Sequence, residues 1–152
     1  MSDRAIHGYS GKPLWQKLGL KPGLRILVLD CPMDYAELTG LGADSLDLVG
    51  RRARFDLAHA FTIKSRQLAD RVRTLSTRLQ ANGVIWISWP KKSSGVPTDI
   101  TEDTIREVAL PLGLVDIKVC AIDATWSGLK LVWRKEHRAR IRSTQHAQES
   151  QP

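Results

Sequence analysis

From Trp89 to Asp99 the chain reads Trp-Pro-Lys-Lys-Ser-Ser-Gly-Val-Pro-Thr-Asp, a set of residue types suited to holding an anion. Lys91 and Lys92 bring charge, Ser93, Ser94 and Thr98 bring hydroxyl donors, and Gly95 leaves a backbone N–H open to approach. The stretch leaves Val84 to Trp89, an apolar run of strand length, and open α/β sheets bind ligands outside the carboxyl ends of their strands. A helix expected after Asp99 brings its positive end nearby. A solvated loop whose lysines keep the protein soluble is the simpler account of the same residues.

Other residues invite chemistry and carry a simpler explanation beside it. Asp30 and Asp34 suit a sugar hydroxyl or a base, but capping the helix between them uses both. Cys31 becomes a nucleophile only if a base approaches it, and a small buried thiol is the plainer use. His59, among Phe55, Leu57 and Phe61, has no metal-ligand partner at a suitable spacing and is expected to be a buried histidine with one satisfied nitrogen. Of the five tryptophans, Trp86 alternates with aliphatic residues and belongs in a core. Trp15, Trp89 and Trp126 sit near turns, where they either line a pocket or partner surface or pack a terminal helix over the rim.

The chain has 152 residues, 42% hydrophobic and 26% charged, which suits one folded domain with its own core. Two cysteines give no disulfide framework, no apolar signal core follows Met1, and no run reaches membrane-spanning length. A cytoplasmic setting with no membrane partner is expected. Lysine and arginine number 23 against 16 acidic residues, for a formal charge of +7. Part of the excess is local: Arg51, Arg52 and Arg54 form one knot, and Arg134, Lys135, Arg138, Arg140 and Arg142 another. The second knot is the candidate nucleic-acid contact, although it lacks the interleaved aromatics that single strands favour.

These residues need elements to position them. Leu14 to Leu20 reads as a short brace helix ending near Gly19, and Leu24 to Asp30 as a buried strand. Pro32 is placed in the first turn of a helix over Met33 to Leu38. Leu46–Val49 and Phe55–Phe61 read as strands too close together for a parallel crossover between them, so the first is expected to be antiparallel, marginal or irregular. Ser65 to Ala81 has a helical apolar repeat, with Asn82-Gly83 as a left-handed stop. Asp99 and Glu102 are placed as a capping box for a helix whose apolar face is Ile105, Val108, Ala109 and Leu112. Leu114–Ile122 and Leu129–Trp133 suit an antiparallel hairpin. The expected organisation is a domain over residues 1–135, with a brace at 8–20, and a disordered polar and basic tail at 136–152.

The fold class that follows is a single-domain, Rossmann-like α/β sheet, mostly parallel with an antiparallel hairpin at its carboxyl end. Its order of strand, helix, strand, helix and closing strand pair resembles the second half of a class I, S-adenosylmethionine-dependent methyltransferase, with Phe55-Asp56-Leu57 and the hairpin in matching places. Gly8 to Gly19, Trp89 to Asp99, Glu107 to Leu112 and Thr125 to Leu129 resemble a bacterial family known only as a domain of unknown function, over about Gly8 to Arg134.

The resemblance implies a methyltransferase-like fold, and with it a glycine-rich turn after the first strand and an acidic residue at the end of the second. This chain has Asp30-Cys31-Pro32-Met33-Asp34 at the turn and no clear acidic residue at the second place. The expectation is therefore a trimmed, non-catalytic module without a cofactor that binds a small anion or a protein partner. An S-adenosylmethionine- or nucleotide-dependent transferase is the alternative, and nucleic-acid binding a third reading.

Overall fold

The computed structural model describes residues 11–149, so residues 8–10 of the expected brace and 150–152 of the expected tail lie outside the described residues. Leu14–Leu18 forms helix α1, which Gly19 ends in a left-handed conformation. The aliphatic run after Gly23 becomes β1 (Arg25–Leu29), followed by the short helix α2 (Tyr35–Thr39) and a two-residue strand β2 (Asp47–Leu48). Then come β3 (Leu57–Phe61), α3 (Ser65–Ser76), β4 (Val84–Pro90), α4 (Glu102–Ala109), β5 (Leu114–Ala121), β6 (Trp126–Trp133) and α5 (Lys135–Glu149).

One six-stranded sheet runs in the order β2, β1, β3, β4, β6, β5. The first four strands are parallel, and β6 runs antiparallel to both β4 and β5, as the hairpin reading requires. Alternation along the strands divides the core in two. On one face Ile26, Leu57, Phe61, Trp86 and Trp126 meet Leu18 and Leu20, at and just beyond α1, and Tyr35 of α2. On the other, Leu27, Ala58, Ala60, Ile85, Ile87 and Leu129 meet Leu68, Val72 and Leu75 of α3 and Ile105 and Ala109 of α4. Phe55, expected beside His59, belongs to this second cluster.

Several expectations are corrected. β2 is marginal as expected, two residues long, but it is not antiparallel: β2 and β3 are both parallel to β1, because β1 lies between them and they never need to be neighbours. β2 meets only Arg25 and Ile26, and β3 begins opposite Ile26, so the chain crosses over β1 without travelling back along it. Pro32 precedes α2 rather than opening it, and Asp34 is the N-cap through its bond from the Glu37 N–H. α3 stops at Ser76 instead of Ala81, and Gly83 is not left-handed. Leu79 turns inward beneath Gly83, where an added Cβ would lie 2.5 Å from a Leu79 methyl. The cap of α4 is Thr101 with Thr104, not Asp99 with Glu102.

The expected disordered tail is helical over 135–149. The sequence there is polar, but one stripe is not: Ile141 packs on the core, and His137 stacks parallel on Trp133 with ring centres 5.7 Å apart. Gly113 makes that seat, since its φ is +95° and a Cβ on it would meet the His137 ring at 2.5 Å. Gly113→Ala is expected to cost about 2 kcal/mol, from left-handed strain and displacement of the ring. The check is a thermal melt together with trypsin cleavage after the α5 arginines, which should quicken in the variant.

Candidate functional site

The strand order reverses between β1 and β3, because the chain leaves β1 for one side of the sheet and returns to the other. In open α/β sheets the crevice at the carboxyl ends of such strands is the ligand site. Here its floor is Asp30 to Asp34 after β1 and Thr62 to Lys64 after β3.

Asp30 adopts φ +60°, the only non-glycine left-handed residue among those described. Its carboxylate is held by two residues one turn apart on α3: Arg71, at 2.7 Å, and the Gln67 amide, at 3.3 Å. Arg51 stands 3.9 Å from its other oxygen. Asp30 therefore does not cap α2, as its sequence position suggested. Arg71 and Gln67 went unnoticed in the sequence, where their one signal is the i, i+4 spacing of two long polar side chains on the helix beside the rim.

Cys31 is half-buried, its Sγ lies 3.5 Å from the Met33 sulfur, and burial pushes its thiol up, away from the thiolate a nucleophile needs. His59 is fully buried and, contrary to expectation, both ring nitrogens are satisfied. The Tyr35 hydroxyl lies 2.7 Å from Nδ1 and the Ser88 hydroxyl 2.7 Å from Nε2, while Phe61 stacks on the ring. Burial lowers the His59 pKa to about 3 and pushes the Tyr35 phenol above its ordinary range. This chain ties α2, β3 and β4 together beneath the rim, closed to solvent.

The segment singled out between Trp89 and Asp99 largely serves itself. The Lys91 ammonium donates to the Asp123 carbonyl at 2.8 Å, and its backbone N–H donates to Thr125. Ser94 donates to the Lys91 carbonyl and accepts from Val96, closing a single 3₁₀ turn over Lys92–Ser94 that Gly95 ends. Thr98 bonds back to the Ile63 carbonyl. Asp99 accepts the Ser65 N–H and hydroxyl, both at 2.7 Å, and so occupies the start of α3. The Ser65 side-chain bond, with its backbone bond next, holds the Asp99 carboxyl below its usual range. Lys92, Ser93 and Gly95 remain exposed.

Trp89 and Trp126 are both buried, on opposite faces of the sheet, and Trp126 packs edge-on against Phe61. Asp30 leaves β1, with β3 between it and the loop leaving β4. The structure thus does not gather Asp30, both tryptophans and the lysine loop around one cavity. Arg134, Lys135 and Arg140 are exposed at and along α5, Arg138 is half-buried, and Arg142 donates to the Asn82 side chain at 3.1 Å.

Among the described residues, no group of three or more His, Cys, Asp or Glu could hold a metal ion. None of the described helices is long and apolar enough to cross a membrane.

Residues 62–135 match a family described as a protein of unknown function (DUF3052). No curated protein matches the sequence. Among solved structures, the chain is similar to a TehB-like SAM-dependent methyltransferase from Corynebacterium glutamicum, at 14% identity and TM-score 0.52 over 87% of this chain and 93% of that one. It is similar to a protein in the NADB-Rossmann superfamily from Streptococcus agalactiae, at 9% identity and TM-score 0.50, over 82% and 69% of the two chains. It also resembles an O-methyltransferase family 2 protein from Planctomyces limnophilus, at 13% identity and TM-score 0.53, over 74% of this chain and 50% of that one. The fold is methyltransferase-like, and the likeness to the Corynebacterium protein extends beyond the second half of the sheet.

Proposed function

We propose that the chain is a non-catalytic binding module that keeps a methyltransferase-like fold and has given up the cofactor site. The observation that carries this reading is the Asp30 turn. A glycine-rich turn lets backbone N–H groups reach a cofactor, and here a side chain stands at that place, with a proline two residues on. The Asp30 carboxylate is spent on Arg71 and Gln67. β2 is Asp47–Leu48 and the chain leaves it through Val49, Gly50, Arg51 and Arg52, so its one carboxylate, Asp47, precedes the strand's last residue and none follows it toward a ribose. Asp99 fills the start of α3. S-adenosylmethionine, which the Corynebacterium neighbour's name mentions, does not fit this set of residues.

Titration calorimetry with S-adenosylmethionine and its demethylated product is the test. No saturable heat is expected for either. Saturable micromolar binding would overturn the reading and restore the transferase alternative. A small anion would meet Lys92 and Ser93 at the exposed tip of the loop after β4, but more cationic side chains gather along α3.

A further inference from the structure

Two neighbouring cavities run along α3 and the turn beyond it. One, of about 520 Å³, is walled by Arg51, Arg52, Arg71 and Arg78 with Thr74 and Thr77. The other, of about 450 Å³, is walled by Arg54, Thr77, Arg78, Trp133, His137 and Ile141. They share Thr77 and Arg78, and so form one continuous face that joins the arginine knot at 51–54 to the basic helix α5.

Five arginines wall this face, and no carboxylate lines either cavity. Asp30, at its edge, compensates Arg71 and stands at 3.9 Å from Arg51. Arg78 spends one nitrogen on the Ala53 carbonyl and lies over the Phe55 ring. Arg51, Arg52 and Arg54 are exposed, and the buried Nε of Arg71 has no acceptor. Arg54 also acts on the Asp56 carboxylate, yet five guanidinium groups outnumber the two carboxylates near them, and such an excess suits phosphate, which the guanidinium fork grips on two oxygens.

The extent of the face decides between a single phosphate and many. From Arg71 to the end of α3 at Ser76 is roughly 7 Å at the helical rise, and Arg78 in the turn beyond and Arg51, Arg52 and Arg54 alongside extend the face past what one phosphate fills. α5 continues the charge beyond that, through Arg142 at Asn82. Among the described residues lining the two cavities no exposed aromatic offers a stacking platform, since Trp133 is buried beneath His137. We propose that this face binds the phosphate backbone of duplex nucleic acid without reading its sequence. The proposal deepens the binding-module reading, which stands on the Asp30 turn and would survive failure here.

The test is fluorescence anisotropy with a labelled DNA duplex of about 20 base pairs, titrated between about 50 and 200 mM salt. Log affinity should fall against log salt with a slope of about −4, from four to five contacts at about 0.9 each. The double variant R51E/R52E should bind at least about tenfold more weakly, with a slope shallower by about 2. K12E/K21E makes the same change in net charge at two exposed lysines outside both cavities, and should stay within about threefold of the parent. Circular dichroism melts check that both variants are folded. Absence of binding at the lowest salt overturns the proposal, as does equal weakening by the two variants. Tighter binding to single strands, or equal competition by polyglutamate, also overturns it.

Discussion

Lowering the pH from 6.5 to 5 is expected to remove about 2 kcal/mol of folding stability through His59 alone. The sign follows from the two states. In the unfolded chain the imidazole takes a proton near its ordinary pKa of 6.5, whereas burial holds it neutral in the fold down to about 3. The unfolded state therefore binds more protons across that window. Stability from this group is complete above 6.5, falls by about 1.4 kcal/mol per pH unit below it, and levels off near 3. Desolvation is the cause, because the ring is fully buried between Phe61 and the hydroxyls of Tyr35 and Ser88. Urea unfolding of the parent and of His59→Gln, each at pH 6.5, 5.8 and 5, measures it. The parent should lose about 2 kcal/mol more than the variant over this range. Equal slopes would show that the imidazole takes up its proton as readily in the fold as outside it. Should the variant not fold, the His59 ring resonances of the parent give the same answer by failing to titrate between pH 7 and 4.5.

The inner part of the sheet was legible because β1, β3 and β4 are largely buried on both faces and so read as nearly continuous apolar runs, as in Leu24 to Asp30 and Val84 to Trp89. Errors arose where a tertiary partner decides. Leu79 leaves the helical repeat of α3 to fill the space under Gly83, and nothing local announces that choice. α5 has too few apolar residues to propose itself, and Trp133, Gly113 and the core contact of Ile141 supply its seat. At the rim, the cap at Asp34 was readable because its partner is three residues away. The bonds that close the crevice, Asp30 to Gln67 and Arg71 and Asp99 to Ser65, span 34 to 41 residues, beyond the reach of any spacing rule. The absence of glycine between Asp30 and Asp34 was visible, and the structure adds what replaces it.

The same separation explains why the cationic face was divided in the sequence. Arg51, Arg52 and Arg54 lie some 80 residues before α5, and only packing brings Arg54 to a cavity that His137 and Ile141 of α5 also line, beside Thr77 and Arg78. Conversely, the lysine loop was whole in the sequence and is dispersed by folding, since Lys91 turns to Asp123 and Thr98 to Ile63. Charge counted along the chain marks where cationic side chains are concentrated in sequence. Burial and partners decided which remained available.

Replacing Trp86 by alanine is expected to produce the largest loss of stability, about 3 to 5 kcal/mol. Trp86 is fully buried at the centre of the face covered by α1 and α2. Its indole N–H donates to the Leu18 carbonyl at 2.9 Å, fastening the end of α1 to the sheet. The bond adds a net contribution of about 1 kcal/mol, so most of the effect is the cavity. For a domain whose whole stability is about 5 to 15 kcal/mol, this lowers the melting temperature by roughly 10 °C. Trp86→Phe separates the parts: it refills most of the volume, loses the bond, and should fall between the parent and the alanine variant. Thermal melts of the three proteins measure the order, and trypsin cleavage at Lys21 reports whether the brace has loosened. A loss under about 1 kcal/mol for alanine would mean that the brace and the sheet are not joined here. Tyr35 and Trp86 would then cease to be parts of one packed face, and the burial that keeps His59 neutral would need another cause.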